Sequence, residues 1–282
     1  MKVTTLLENR PSKTNSHLKA EWGLSLHIKF NGHEILFDMG ASGLFTKNAE
    51  QLSVNVASIE SAVLSHHHSD HGGGLRRFLA LNANAKVHLG EAPSGECFYK
   101  PFGLIKKYVG LDKTLLADYP DRFAIVQQPT EILPDVFVLP HIQCRHPKPT
   151  GNKYLFLKRD HSFVLDDFSH EIVMAIKEDD KLVVFTGCSH NGVLNMVDTV
   201  TKAFAGTPIK AMIGGFHLIA MPPFNFMTGS QHEVEALGRS VLNYPIEAIY
   251  TGHCTGTKAF GVLKTVMGDR LSDIQTGSCF EV

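Results

Sequence analysis

The run Ala62-Val63-Leu64-Ser65-His66-His67-His68-Ser69-Asp70-His71-Gly72-Gly73-Gly74 carries the block His66, His68, Asp70 and His71, four metal-binding groups within six residues. Val63 and Leu64 end an apolar stretch that reads as a buried strand, and the three glycines open a helix expected over Leu75 to Leu81. Side chains alternate faces in extended backbone, so His66 and His68 point one way and can chelate one ion, while His67 points the other. Asp70 and His71 follow at the turn into the helix, where the change of direction can aim them at a second ion. Imidazole nitrogen and carboxylate oxygen are ligands that zinc, iron and manganese accept. A lone histidine at a strand end is usually a polar cap, but packing does not explain four such groups together. Asp70 is also the expected catalytic carboxylate, holding water at the open position and accepting its proton.

Working outward, the chain has 282 residues, near the size at which one core stops growing, and one domain over 1–282 is expected. An irregular insertion is expected around 91–120, where prolines and glycines interrupt the pattern among Phe98, Tyr99, Phe102 and Tyr108. Those aromatics either stack on a flat substrate or bury the loop on the body. Net charge is −1, so no bulk field recruits nucleic acid or an anionic membrane, and neither is expected as a partner. Apolar stretches are only strand-length and the first residues lack the apolar run of a signal peptide, which points to a cytoplasmic protein. The five cysteines, Cys97, Cys144, Cys188, Cys254 and Cys279, have no paired spacing, and reduced thiols are expected. The sequence does not determine an oligomeric state.

In order along the chain, Leu24 to Phe30 and Ile35 to Phe37 form a hairpin through a type I′ turn at Asn31-Gly32, ending on Asp38. A second hairpin, Glu171 to Ile176 and Leu182 to Phe185, points at Gly187-Cys188-Ser189-His190, and the parallel with the first suggests an internal duplication. Strands are expected at Val3 to Leu7, Ala85 to Leu89, Phe123 to Val126, Val136 to Leu139, Ile209 to Ile213 and Ala248 to Tyr250. Helices are expected at Ser42 to Leu52, Asn191 to Phe204, Gln231 to Leu242 and Thr257 to Met267. Strands alternating with helices in both halves imply an α/β fold: two mixed β-sheets face to face with helices outside, an αββα sandwich.

His-x-His-x-Asp-His after a buried strand, with Phe37-Asp38-Met39-Gly40 before it and Thr186-Gly187-Cys188-Ser189-His190 and Tyr250-Thr251-Gly252-His253 after it, resembles the signature of the metallo-β-lactamase superfamily. Glu21-Trp22-Gly23-Leu24-Ser25-Leu26, Gly214-Gly215-Phe216-His217-Leu218 and His253-Cys254-Thr255-Gly256 are similar to its branch labelled dihydropterin ribofuranosylaminobenzene-phosphate synthase-like. The resemblance runs from about Leu6 to Gly256 and implies the αββα fold. It further implies that Asp38 lies beneath the metals and orients a ligand through a hydrogen bond. His190 and His253 are implied as later ligands. Cys188 occupies the place where most members carry a bridging aspartate, and is either a thiolate ligand or a small buried hydrophobe. Arg145 stands where many members have a metal-binding histidine near His141, and is either an anion contact or one partner of a surface ion pair. His217, between Gly-Gly-Phe and the Pro-Pro step at 222–223, is expected to face substrate or to be structural.

These readings lead to a metal-dependent hydrolase with one or two divalent transition metals, zinc first, with iron or manganese as alternatives. A metal-held hydroxide would attack a small phosphorylated or carboxylated substrate. Helix starts at Gly72-Gly73-Gly74 and Asn191-Gly192 would offer backbone N–H groups to that anion. The alternatives are a pterin/aminobenzene ribosyl phosphate synthase-type transferase and a non-catalytic metal or redox sensor acting through Cys188 and Cys254. The ligand set favours the enzyme.

Overall fold

Strands whose side chains are apolar on both faces must be covered on both sides. In the computed structural model, which describes residues 1–103, 106–221 and 224–282, the main strands are covered in this way. The Pro-Pro step at 222–223 lies outside the described residues. In chain order the strands are β1 (Lys2–Leu7), β2 (Ser25–Phe30), β3 (His33–Phe37), β4 (Ser61–Leu64), β5 (Lys86–Leu89), β6 (Glu96–Tyr99), β7 (Lys107–Tyr108), β8 (Phe123–Ile125), β9 (Thr130–Leu133), β10 (Val136–Leu139), β11 (Leu155–Arg159), β12 (Ser162–Leu165), β13 (Val173–Glu178), β14 (Lys181–Phe185), β15 (Ile209–Gly214), β16 (Ile219–Met221), β17 (Phe224–Met227), β18 (Ile246–Thr251), β19 (Leu271–Asp273) and β20 (Cys279–Glu281). The helices are α1 (Leu44–Gln51), α2 (Ser69–Gly72), α3 (Leu75–Leu81), α4 (Leu115–Asp118), α5 (Val193–Ala203), α6 (Gln231–Leu242) and α7 (Thr257–Met267).

Two seven-stranded sheets, β20-β1-β2-β3-β4-β5-β8 and β9-β10-β13-β14-β15-β18-β19, form the body. Each sheet begins with three antiparallel pairings and ends with three parallel ones. This shared order is the pattern a duplication of the β-rich half would leave. Between the sheets, Leu26, Ile28, Ile35, Phe37 and Val63 pack against Val138, Met174, Ile176, Val183, Phe185 and Ile213. The alternate residues face the helices. Leu36, Ala62, Leu64 and Val87 meet Phe45 of α1 and Leu75 and Phe78 of α3. On the other side Val173, Leu182, Val184 and Met212 meet α5 through Val193, Met196, Val197 and Val200, at the i, i+3, i+4, i+7 spacing of one helix face. The α/β sandwich read from the sequence is the fold observed.

The hairpin turn has Asn31 at φ 46° and Gly32 at φ 86°, the positive pair that type I′ requires. The insertion around 91–120 is more regular than its composition suggests. Strands β6 and β7 from it join β11 and β12 in a four-stranded sheet. The partner strands are distant in sequence, so no local signal announces the pairing.

Candidate metal centre

The site lies where the parallel strands of both sheets end. Strand β3 runs into Asp38, β4 into Ser65 and His66, β14 into Gly187 and Cys188, and β18 into His253. Asp38, Ser189, His217 and His253 all adopt positive φ, between 49° and 59°, a clustering of strained backbone typical of functional sites. Gly187 has no room for a side chain, because a Cβ there would run into Ser65 Oγ and come within 3.1 Å of His66 Nδ1. The two sheets therefore meet at this glycine.

The protonation of each ring is fixed by what its outer nitrogen touches. His71 Nδ1 donates to Asp38 Oδ2 at 2.6 Å, and His253 Nδ1 donates to Asn9 Oδ1 at 2.9 Å. Asn9 Oδ1 also accepts from Gly23 N–H, which fixes it as the oxygen of that amide. His190 Nδ1 donates to Asn152 Oδ1 at 3.1 Å, while Asn152 Nδ2 donates to the His190 carbonyl. Ser65 Oγ gives its hydrogen to Asp38 Oδ2, so at 2.9 Å it accepts from His66 Nδ1. All four rings thus carry their proton on Nδ1 and turn a bare Nε2 inward.

Those inner nitrogens have no ordinary partner. His66 Nε2 and His190 Nε2 are buried without a hydrogen bond. His71 Nε2 stands 3.1 Å from His253 Nε2 and 3.1 Å from Cys188 Sγ. Two lone pairs at that distance repel unless a cation lies among them. Burial, reinforced by His71 and His68, lowers His66 well below the ordinary imidazole range, and burial with His217 does the same to His190, so both stay neutral. Burial would also lower His253, but Asp70 and Cys254 outweigh it and raise it to about 9. In the absence of an ion, a proton takes the cation's place there. Donor atoms of His66, His68 and His190 lie within 4.8 Å of one another, as do those of Asp70, His71, Cys188 and His253. These residues fit two divalent ions of the nitrogen-, oxygen- and thiolate-binding kind.

Asp70 Oδ2 accepts from Trp22 Nε1 at 2.9 Å and lies 3.4 Å from His253 Nε2. Against the cost of burial, His71 and His253 hold the Asp70 carboxyl well below its usual range. Burial and the neighbouring Cys254 push the Cys188 thiol well above its own. Asp38 accepts three hydrogen bonds, from Ser65 N, Ser65 Oγ and His71 Nδ1. His67 faces away and donates from Nε2 to the Gly90 carbonyl at 3.0 Å.

Arg145 is exposed, does not line the cavity, and gives its backbone N–H to Asn195 Oδ1. The helix starts do not offer free N–H groups either. Gly72, Gly73 and Gly74 donate to the carbonyls of His68, Ser69 and Gly40, Gly192 to that of Ser189, and Asn191 to the Glu171 carboxylate. His217 does line the cavity, with both ring nitrogens buried and unpartnered.

Sequence reasoning missed the supporting groups. Buried Glu171 accepts from the backbone N–H of His190 and of Asn191, each at 2.7 Å, and Glu8 accepts from His253 N–H at 2.5 Å. Each buried carboxylate fixes one later ligand loop. Beside the centre lies a cavity of about 350 Å³ walled by Trp22, Tyr99, Val109, Leu155 and Ile219, with Lys107 its one lysine. Of these, Trp22, the sole tryptophan, sits in a sequence motif and Tyr99 among the insertion's aromatics, while the others carry no sequence signal.

The metallo-beta-lactamase superfamily profile matches residues 24–253. A protein of Methanocaldococcus jannaschii named 7,8-dihydropterin-6-methyl-4-(beta-D-ribofuranosyl)-aminobenzene-5'-phosphate synthase is 30% identical over 277 residues, covering 92% of this chain and 89% of that one. The crystal structure of Tm1679, described as a metal-dependent hydrolase of the beta-lactamase superfamily, superposes with a TM-score of 0.83 at 27% identity, covering 100% of this chain and 99% of the other. Zinc-bound PqqB from Methylobacterium extorquens shares the fold, with a TM-score of 0.56 at 12% identity and 100% of both chains covered. On this match across most of its length, with the strand ends that carry the candidate ligands inside it, the chain belongs to the metallo-beta-lactamase superfamily.

Proposed function

We propose that this protein is a metal-dependent hydrolase of a small anionic substrate, with His66, His68 and His190 holding one divalent ion and Asp70, His71, Cys188 and His253 a second. The observation that carries the reading is the inward-turned Nε2 of His66 and of His190, each buried with no hydrogen-bond partner, beside the Nε2 atoms of His71 and His253 only 3.1 Å apart. Zinc suits this mixture of imidazole, carboxylate and thiolate, and iron or manganese would also be accepted. Bound metal would supply Lewis acidity and activate water at neutral pH. Asp70 lines the cavity in its ionised form and takes up the proton released there. Trp22 holds that carboxylate in place through its indole N–H. Lys107 binds the anionic group of the substrate, and Trp22 and Tyr99 offer faces to a flat ring.

A second reading is favoured by one observation, the synthase name of the M. jannaschii relative. There the nucleophile would be a second substrate instead of water, with the same groups binding and orienting it.

The test is a screen of zinc-, iron- and manganese-loaded protein against phosphodiesters, thioesters, lactones and pterin phosphates in ¹⁸O-water. Turnover with ¹⁸O in the product is the expected result, and Asp70→Asn should lower kcat by about 100-fold or more. Lys107→Ala should raise KM for anionic substrates about tenfold and leave kcat near its starting value. Product without ¹⁸O would favour transfer. Full metal content without turnover on any class would sink the hydrolase reading.

A further inference from the structure

Behind His68 is a second buried cluster, Cys97, Asp166 and His170, whose donor atoms and that of His68 all lie within 4.8 Å of one another. By ligand type alone it resembles another metal site. The hydrogen bonds argue otherwise. A metal-binding histidine keeps its proton on the nitrogen remote from the ion and donates it. His170 does the reverse, since its Nδ1 accepts from the backbone N–H of His67 at 3.1 Å. Backbone N–H can only donate, so His170 Nδ1 is bare and its proton sits on Nε2. That Nε2 is 3.4 Å from Asp166 Oδ2, and the other oxygen, Oδ1, accepts from Phe168 N–H at 2.8 Å. The carboxylate is therefore gripped from two sides. Its Oδ2 also faces His68 Nε2 at 3.8 Å, and this Nε2 is buried with no hydrogen-bond partner.

Resting on the metal centre proposed above, we infer that Asp166, itself held by His170, is a positioning residue that keeps the proton of His68 on Nε2 and so leaves Nδ1 bare for the ion shared with His66 and His190. This makes His68 the counterpart of His71, whose proton is kept by Asp38, with the chain's other half supplying the carboxylate. His68 chelates from the opposite nitrogen because its partner stands on the opposite side of the ring. The cluster also ties the four-stranded sheet to the centre, since Cys97 lies on β6 and Asp166 directly follows β12.

The experiment is zinc titration of purified protein against a chromophoric chelator, with cobalt substitution to read the Cys188 thiolate band. Asp166→Asn can turn its amide N–H₂ toward His68 and favour the wrong tautomer. It should weaken one of two zinc equivalents by about 10- to 100-fold and leave the cobalt–thiolate band unchanged. If that variant does not fold, His170→Leu should weaken the same ion, and His170→Gln should restore it, because a glutamine can accept from His67 and donate to Asp166 as the ring does. Wild-type affinity in Asp166→Asn or in His170→Leu would overturn the inference. So would a third zinc equivalent that disappears in Cys97→Ser, which would place an ion in the cluster itself. Wild-type protein that binds no zinc would instead overturn the metal centre, and this inference with it.

Discussion

At the scale of single residues, two positions separate binding from packing. Cys188 Sγ lies 3.1 Å from His71 Nε2, so a carboxylate at 188 can serve the same ion and an alanine cannot. Metal content measured by elemental analysis should fall in the order Cys188→Asp, Cys188→Ser, Cys188→Ala. The reverse order would mean that the thiol only fills space. His67 sits next to two proposed ligands yet should be dispensable for metal, because its side chain bonds Gly90 on the far side. It has a different signature. Burial first, then His170, lowers its pKa from 6.5 to about 3, against a smaller opposing effect from Gly90. Between those values the unfolded chain takes a proton that the folded one refuses, so folding stability falls as the pH drops through that window. In chelator-treated protein, His67→Gln should make the acid limb of the stability curve shallower by about one proton, about 1.4 kcal/mol per pH unit. Urea unfolding at pH 6, 5 and 4 reads the slope, and an unchanged slope would contradict the assignment.

At the scale of elements, the strand ends tolerate little and the outer helices tolerate more. Gly187 closes β14 against Ser65, so Gly187→Ala should displace His66, lose metal and lower Tm. Gly261 lies in the middle of α7, exposed, with nothing within 4 Å of the position a Cβ would take. Gly261→Ala should stabilise the protein by about 0.5–1 kcal/mol through helix propensity, with no change in metal content. Chemical denaturation of the pair checks both, and a destabilised Gly261→Ala would mean that α7 is covered by something else. The loop from β4 to α3 is held by backbone bonds from Leu24 N–H to Asp70, Met39 N–H to His71, and Ser69 N–H to Val109. The last of these comes from the insertion, which therefore clamps the ligand loop as well as bordering the cavity.

For the whole molecule, the apolar layer between the sheets draws on both halves of the chain, and the proposed ligands come from both. On this basis we propose that 1–282 is one folding unit. Circular dichroism and tryptophan fluorescence should then report one coincident unfolding transition. Prolonged chelation should lower Tm, because ion-binding energy is partly folding energy. Two separated transitions would contradict the single unit, and a Tm unmoved by chelation would contradict a metal that bridges the sheets. Among the described residues no helix is long and apolar enough to cross a membrane.

Local pattern in the sequence determined most strands of the two large sheets, the α/β layering and the inner candidate ligands, because alternation and the spacing of His66, His68, Asp70 and His71 depend on neighbours a few residues apart. Asp38, Cys188, His190 and His253 were legible too, through motifs at strand ends. Tertiary structure alone decided what lies around them. Asn9 and Asn152 set the protons of His253 and His190, Asp166 with His170 behind it faces His68, and Glu171 holds the His190 loop by its backbone; they carry no local signature because a single acceptor can be any polar residue the fold brings near. Arg145 is a similar case. Its charge was visible in the sequence, but its direction was set by α5, where Asn195 holds its backbone and leaves the side chain outside the cavity. Lys107, unremarkable in an irregular stretch, reaches the cavity because β7 pairs with β6 and β6 with β11, the latter a contact between segments roughly 60 residues apart that no periodicity could reveal.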